Sequence, residues 1–434
     1  MAASKNKRFR EPPAKPAGPV PAIPVGARWD LSTVLLWMLV GYIVLLTASD
    51  LILRWQAPGA ASHEFKLDRG RFVVISALTL TGFQSSTGID SYTAFGRYYI
   101  FLLTLIGSIF TMTFAGLCVV RIVRLRFSDR QVTFAGAIVC LGLTLIGGVP
   151  LLSSHPPLDA FMFSAGAFGN SGLFFGRLPG IMSWQLFLII LPLAVLGSLG
   201  LPVLMELSDV IRMRGGLCDY SRRVLRLSAG VFLVGFIIFT AVRYFSPDTS
   251  LSDAEQTARF YGANAIAAIN SRTLGLPYAV RGMGGEVSFV REFTPLMLWM
   301  LIPFMVIGGC PAGTAGGMKI TTFAEIFRGV RRSLRGQSPG RSFGIAAAWL
   351  GIYAFLVVLF FTLLMFTVDH PTSDRVLFET ISALSNVGLS YDRIQHHTPP
   401  LDIMSGAMLL GRLAPLCILW WMATSTTDAE LPIG

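Results

Sequence analysis

Gly308-Gly309-Cys310-Pro311-Ala312-Gly313-Thr314-Ala315-Gly316-Gly317-Met318-Lys319 directly follows an apolar run, Pro295 to Ile307, whose composition places it in a membrane. Five of these twelve residues are glycine and one is proline. In a helix interior glycine costs about 1 kcal/mol against alanine and proline about 3 kcal/mol, so the helix is expected to stop here. Irregular backbone at membrane depth persists only where protein or a watery cavity takes up its hydrogen bonds. The stretch therefore implies a cavity inside a membrane protein.

Composition agrees. The 434 residues are 53% hydrophobic and 14% charged, against about 25% charged in soluble domains. Residues 1–28 form a basic, proline-rich tail (Lys5, Lys7, Arg8, Arg10, Lys15), expected to be disordered and retained. Cys118, Cys140, Cys218, Cys310 and Cys417 have neither metal spacing nor a disulfide framework and are read as small buried residues. His396-His397 falls in a polar loop and is read as solvated.

Working outward from the glycine stretch, one pattern recurs four times: a long apolar span, a short apolar segment ending at a glycine turn, and a second span. The first unit runs Leu31 to Leu53, Phe72 to Leu80 with Thr81-Gly82-Phe83, and Tyr98 to Val120. The second runs Val132 to Leu152, Pro157 to Phe168 with Asn170-Ser171-Gly172-Leu173, and Trp184 to Leu204. The third runs Leu225 to Phe245, Ala254 to Asn270 with Thr273-Leu274-Gly275-Leu276, and Phe293 onward to the glycine stretch. The fourth runs Phe343 to Val368, Ser373 to Leu384 with Asn386-Val387-Gly388-Leu389, and Met404 to Met422. The turn glycines lie 90, 103 and 113 residues apart, too far for a solenoid repeat.

The expected fold is an all-α membrane protein with four tandem span–pore helix–span units around a central pore. Eight full crossings are joined by re-entrant pore helices. The units are 29–128, 129–220, 221–340 (with the loop 308–319) and 341–434. On this reading the third unit alone has a broken second span, so three spans hold the pore and one is built to move.

Net charge is +11, but its placement argues against nucleic acid. Of 35 basic residues, 21 lie in the tail up to Arg28, in Arg121–Arg130, in Arg212–Arg226 and in Lys319–Arg341. With eight crossings those segments share one face, which the positive-inside rule makes cytoplasmic. Both termini are then cytoplasmic, and the basic face suits anionic lipid or an acidic partner.

A short helix that enters from outside and stops mid-membrane points its partly negative C-terminus at the centre. Four around one axis favour a cation, and the turns that follow can line the axis with carbonyls replacing its water shell. Glycine suits such turns because a lining strand needs backbone angles that a Cβ resists. Oxygen-bearing Thr79, Thr81, Asn170, Ser171, Thr273 and Asn386 adjoin the glycines, and Asp90 and Asp392 are expected at the outer mouth. A lone Thr-Gly-Phe would be packing only. Four in register are not.

Thr79-Leu80-Thr81-Gly82-Phe83, Phe168-Gly169-Asn170-Ser171-Gly172-Leu173, Ser271-Arg272-Thr273-Leu274-Gly275-Leu276 and Ser385-Asn386-Val387-Gly388-Leu389 resemble the four filter segments of the Trk/Ktr/HKT superfamily of potassium transporters. Ile307 to Lys319 resembles that family's intramembrane loop. The likeness extends from Leu31 to Met422 and fits the ion-conducting subunit of the bacterial Trk/Ktr branch. It implies potassium as the transported ion at these filter residues and no organic cofactor. It implies a gate at Gly308, Gly309, Pro311, Gly313, Thr314, Ala315, Gly316, Gly317 and Lys319, contacted by Arg412. It also implies a homodimer on a cytoplasmic nucleotide-binding (RCK-type) ring, in a bacterial inner membrane. Glycine at 82, where sodium-selective plant members have serine, favours potassium. Gly169 stands where asparagine is frequent, Ser385 where glycine often occurs, and Cys310 and Ala312 are small variants in the loop.

Three charged residues have competing readings. Arg412, costing about 2.5–3.5 kcal/mol at a helix centre, either snorkels to the interface or holds free carbonyls of the glycine loop, the preferred reading. Arg272 is expected behind the third turn and paired with a carboxylate, with Glu379 as candidate. Lys319 invites a phosphate-loop reading that fails on spacing, because that motif needs contiguous Gly-Lys-Ser/Thr; it is read instead as marking where the broken helix emerges into the cytoplasm. The rival mechanism is a secondary transporter coupling sodium or protons to potassium by alternating access, which favours inverted repeats over four parallel units. A membrane enzyme is disfavoured, since no paired intramembrane Asp, His/Glu metal motif or Ser–His arrangement occurs.

Overall fold

Apolar runs of about 20 residues form helices because helical backbone groups satisfy one another where water cannot. The computed structural model describes residues 30–55, 67–83, 92–176, 178–180, 182–245, 254–272, 274–276, 279–282, 285–288, 295–390 and 400–425. The tail, Asp90, Thr273, Asp392 and His396-His397 lie outside them.

In chain order the helices are α1 (Leu31–Trp55), α2 (Leu67–Leu78), α3 (Ala94–Val123), α4 (Asp129–Leu151), α5 (Pro157–Gly169), α6 (Leu191–Leu199) and α7 (Leu201–Ile211). There follow α8 (Asp219–Tyr244), α9 (Ala254–Asn270), α10 (Pro295–Val306), α11 (Ile320–Ser333), α12 (Arg341–Thr367), α13 (Ser373–Leu384) and α14 (Pro400–Ser425). Among the described residues α1, α3, α4, α8, α12 and α14 are each long and apolar enough to cross a membrane. Several run past their apolar cores into polar caps. Ser128 and Gln131 close a capping box on α4, and the Thr93 side chain caps α3.

The chain is mostly helical rather than wholly so. Strands β1 (Ala279–Gly282) and β2 (Gly285–Ser288) form a small antiparallel ribbon between α9 and α10, with Val280 opposite Val287. The β-branched residues and glycines there suit a hairpin better than a helix.

One expectation is overturned. The third unit is not alone in having a broken second span. Trp184 to Leu204 begins with a wide turn over Leu186–Ile190, continues as α6 and then bends 110° into α7 at Gly200. Gly200 has φ +93, a left-handed value that stops the helix. Pro202 at the start of α7 needs no N–H partner there.

Burial shows which helices face inward. The apolar window of α3 is 78% buried, against 17% in α1, α8 and α12, so α3 runs through the interior while the others present apolar side chains outward. Glycines on the second long helices let the short ones come close. A Cβ at Gly107 of α3, Gly197 of α6 or Gly411 of α14 would fall under 3.0 Å from the carbonyl oxygen of Leu78, Phe168 or Leu384 respectively. Each of those carbonyls lies four residues before a turn glycine. Arginines at the polar helix ends are ion-paired across elements: Arg126 to Asp209 (2.7 Å), Arg223 to Glu325 (2.7 Å) and Arg71 to Asp402. Of the cysteines, Cys118, Cys140 and Cys310 are buried as expected, but Cys218 is half-buried and Cys417 exposed on α14.

Candidate ion-binding site and its loop

The four glycine turns meet. Gly82, Gly172, Gly275 and Gly388 all have positive φ (94, 63, 53 and 78). A Cβ on Gly82 would fall under 3.0 Å from the Ser171 carbonyl oxygen, and one on Gly172 would stand 2.8 Å from that of Gly275. One on Gly275 would overlap the Val387 carbonyl, and one on Gly388 that of Thr81. First touches second, second touches third, third touches fourth, and fourth touches first. The turns therefore close a ring in sequence order. Real Cβ atoms essentially never come within 3.0 Å of such neighbours, so a side chain at any of the four positions would force the ring backbone to shift, least at Gly172.

A residue just ahead of each turn glycine is also left-handed: Leu80, Asn170 and Asn386 two before it, Leu274 one before it. Asparagine tolerates this region better than most residues, which accounts for two of the four. Side chains brace the turns from behind. Ser76 donates to the Phe83 carbonyl (3.0 Å) and accepts from the Gly82 N–H (3.1 Å). The Asn270 amide bonds both the N–H and the carbonyl of Leu276 (2.6 and 3.1 Å). The Tyr353 and Ser385 hydroxyls are 2.7 Å apart, and the Thr79 and Thr81 hydroxyls likewise. Asn386 Nδ2 donates to Thr81 Oγ1 and to the Met408 carbonyl, both at 2.9 Å. Gly169 has a local reason too: a Cβ there would lie 2.6 Å from Ser108 Oγ. The amide oxygens of Asn170 and Asn386 are buried with no donor among the described residues. They remain available as acceptors.

Ser76, Asn270 and Tyr353 went unread in the sequence. Ser76 and Asn270 each sit six residues before the group they hold, a spacing that two instances cannot make visible. Tyr353 lies in the middle of an unbroken apolar run.

The loop after α10 lies against this ring and is held by the α6–α7 break, the second turn, Arg272, Arg412 and the fourth turn. Its two ends pair as a short parallel bridge: Gly308 N donates to the Met318 carbonyl (2.9 Å) and Met318 N to that of Val306 (3.0 Å). Ile320 N donates to Gly309 O (3.0 Å), and Gly309 N to Gly316 O (3.3 Å). From the second unit, the break between α6 and α7 docks backbone to backbone. Cys310 N donates to Ser198 O (2.9 Å), Thr314 N to Gly197 O (3.0 Å) and Leu201 N to Ala312 O (3.0 Å). Two irregular segments thus satisfy each other in place of water. Gly200 and Gly313 permit the approach, since a Cβ on either would fall under 3.0 Å from Pro311 O or Ser198 O.

Thr314 carries the densest set of bonds. Its hydroxyl donates to Phe168 O (2.8 Å) and accepts from Asn170 Nδ2 (2.9 Å). Its carbonyl accepts from Arg412 Nη1 (2.8 Å). The same guanidinium donates through Nε to Thr79 O (2.7 Å) and through Nη2 to Leu80 O (3.5 Å). Arg412 is 3% exposed, so it joins the loop to the first turn rather than reaching out to an interface. On the far side, a Cβ on Gly316 would run into the Ser385 carbonyl and lie 2.8 Å from Asn386 Cβ.

Among the described residues Arg272 does not pair with a carboxylate. Its Nη2 donates to Gly308 O (3.0 Å) and its Nε to Ile307 O (3.4 Å). These carbonyls follow the last turn of α10 and have no helical partner, so the arginine caps the broken span. Glu379 instead accepts from Ser390 (2.7 Å). Lys319 caps the start of α11 with its backbone, and its Nζ donates to Ala315 O (2.7 Å). Pro311 and Gly317 complete the loop, the latter at φ +66. Three cationic side chains therefore end on carbonyls of one loop beneath or behind one ring. Among the described residues neither buried arginine has a carboxylate partner.

Comparison with known proteins gives a consistent picture. A family model for TrkH, described as a cation transport protein, matches residues 284–423, which contain the loop, the fourth turn and Arg412. Ktr system potassium uptake protein B of Vibrio alginolyticus is 26% identical over 81% of this chain and 83% of its own. The protein of the same description from Bacillus subtilis is 26% identical over 84% of this chain and 87% of its own. The crystal structure of the potassium transporter TrkH from Vibrio parahaemolyticus superposes with a TM-score of 0.69, covering 93% of this chain and 86% of that one, at 17% identity.

Proposed function

We propose that this chain, which belongs to the Trk/Ktr superfamily of cation transport proteins, takes up potassium through a filter made by the four glycine turns and is gated by the loop Gly308–Lys319. The observation that carries the reading is the closed ring of turns with the loop seated against it. Potassium is the ion named for the relatives that match most of the chain. The long–short–long order of helices supports four pore units and eight crossings, with α6–α7 and α10 counted as bent or broken spans. The basic helix ends support the orientation with both termini in the cytoplasm. The relatives named as parts of a Ktr system support a partner subunit, taken here as a cytoplasmic nucleotide-binding ring under a homodimer.

In this mechanism the C-terminal ends of α2, α5, α9 and α13 bring partial negative charge to the ring. The carbonyls of Thr81, Ser171, Leu274 and Val387, with the acceptors of Asn170 and Asn386, replace the water shell of a dehydrated cation. The membrane potential supplies about 2.3 kcal/mol per 100 mV for each ion, so no catalytic machinery is needed. With the loop seated, Arg412, Arg272 and Lys319 add positive charge beside the path. Opening requires the loop to leave its seat between Gly197–Leu201 and the fourth turn. The test is growth of a potassium-uptake-deficient bacterium on limiting potassium. The chain with its partner subunit is expected to restore growth, and Gly82→Asp is expected not to. No rescue despite membrane-inserted protein counts against the assignment.

Two variants probe the seat. Arg272→Gln removes the charge from bonds worth about 1.5–3 kcal/mol and leaves one donor group. Basal potassium flux in proteoliposomes is expected to rise about 3- to 10-fold with a modest loss of thermal stability. Unchanged flux in a destabilised protein would make Arg272 a helix cap only. Gly200→Leu forces a side chain into the Pro311 carbonyl at a left-handed residue, costing about 1–3 kcal/mol from overpacking alone. It is expected to unseat the loop and raise flux without altering the order of ion preference, as measured by competing rubidium and sodium uptake.

A further inference from the structure

α11 begins one residue beyond the glycine loop, and Ile320 N still bonds Gly309 O inside it. Three faces of the helix differ in what covers them. One face is packed: a Cβ on Gly329 would run into the Phe343 ring in the first turn of α12, and Glu325 binds Arg223 near the start of α8 (2.7 Å) and Arg328 (2.9 Å). A second face is an apolar ridge, Phe327, Val330 and Leu334, which are 74%, 44% and 84% exposed. Beside it, displaced by one residue or about 100°, stand Arg328 and Arg331, with Arg332 next to them and Arg335 in the turn that follows the helix.

Depth in the membrane follows from the two anchors. α12 has 27 residues and α8 has 26, or about 40 Å each, against a hydrocarbon core of about 30 Å. Their first turns therefore stand in the headgroup zone. Phe343 and Arg223 hold α11 at that level. Large apolar side chains exposed at headgroup depth, flanked by arginines, match an interfacial helix on an anionic surface. Arg331, Arg332 and Arg335 are exposed and have no ion pair among the described residues. The single acid of the helix, Glu325, is already engaged.

We propose that α11 docks on anionic phospholipid, its apolar ridge seated at the headgroup–acyl boundary and its arginines on lipid phosphates, and that this docking favours the seated loop. On this proposal the docked helix keeps Ile320 bonded to the loop, the bond seen here, so anionic lipid holds the closed arrangement. The docking stands on the surface of α11 and its anchorage to α8 and α12, and its coupling to flux rests on the gate reading above.

The test uses the full chain in vesicles of phosphatidylcholine, with or without about one quarter phosphatidylglycerol. A photoreactive benzoyl-phenylalanine at position 327 reports what touches the ridge. Potassium flux is followed in parallel. Adducts to phosphatidylglycerol are expected, falling at least about tenfold in the combined Arg331→Gln, Arg332→Gln, Arg335→Gln variant. Phosphatidylglycerol is expected to lower flux in the unaltered chain and not in that variant. Equal adducts to both lipids, or adducts joining two copies of the chain, overturn the docking. Flux equally sensitive to phosphatidylglycerol in both proteins overturns the coupling. A chain silent in every vesicle fails the ion-pathway reading, while the adducts still decide the docking.

Discussion

Shortening the loop by deleting Thr314–Gly316 is expected to raise potassium flux by at least about tenfold while leaving the order of ion preference unchanged. The deletion removes the Thr314 bonds to Phe168, Asn170 and Gly197 and the carbonyl that Arg412 holds. Neutral hydrogen bonds contribute about 0.5–1.5 kcal/mol each and charged ones about 1.5–3, and 1.4 kcal/mol is tenfold in an equilibrium constant. Even partial loss of this set shifts a seated loop toward the open state by more than one decade. The loop meets the turns through Thr314 on Phe168 and Asn170, through Gly316 against the fourth turn, and through Arg412 and Arg272 on the first and third, and none of these contacts among the described residues falls on a turn glycine. Preference among ions, set by the turns, is therefore expected to survive. Flux in proteoliposomes, measured separately for potassium, rubidium and sodium, checks both parts. Lost flux in a folded, inserted protein would make the loop a structural plug.

The four turn glycines are expected to differ in tolerance, and the ring geometry gives the order. At Gly388 and Gly82 an added Cβ would overlap a carbonyl of the neighbouring turn outright, so Gly388→Ser and Gly82→Ser are expected to abolish selective flux and lower thermal stability. Gly275 is nearly as crowded. At Gly172 the nearest atom, the Gly275 carbonyl oxygen, is 2.8 Å away, the mildest of the four conflicts although the third turn's backbone must move to relieve it. Left-handed backbone in a residue with a Cβ adds about 1–2 kcal/mol. Gly172→Ser is thus expected to fold and conduct, with a potassium-to-sodium ratio reduced about tenfold or more, because 1.4 kcal/mol of lost ion coordination suffices for that. Equal selectivity in Gly172→Ser and the unaltered chain would remove that turn from the filter.

Much of this was readable in the residues. Asn170, Asn386 and the four glycines announced turns because their chemistry admits left-handed backbone, and their recurrence at one place in each unit separated them from packing glycines. The loop announced itself by composition. The break at Gly200 did not, although Gly197-Ser198-Leu199-Gly200-Leu201-Pro202 contains two glycines and a proline. Inside an apolar run those residues read equally well as close helix packing, which is what Gly107 and Gly411 do. The expectation of one moving span therefore gives way to a pair of irregular segments that complete each other. Arg272 was misread for a related reason. A buried guanidinium was expected to seek a carboxylate, but a helix that ends inside the membrane offers unpaired carbonyls, and Ile307 and Gly308 supply them. Arg412 donates to the loop carbonyl of Thr314, while its bonds to Thr79 and Leu80 depend on a proximity between distant parts of the chain that sequence separation conceals.

The central claim is that the ring of four glycine turns selects potassium and the loop controls access to it. Its most direct measurement is the reversal potential of the loop-shortened chain in a planar bilayer, with potassium on one side and sodium on the other. A reversal close to the potassium equilibrium potential, moving toward zero in Gly172→Ser, is the predicted result. A reversal at zero in both proteins, or at the sodium potential, would contradict it.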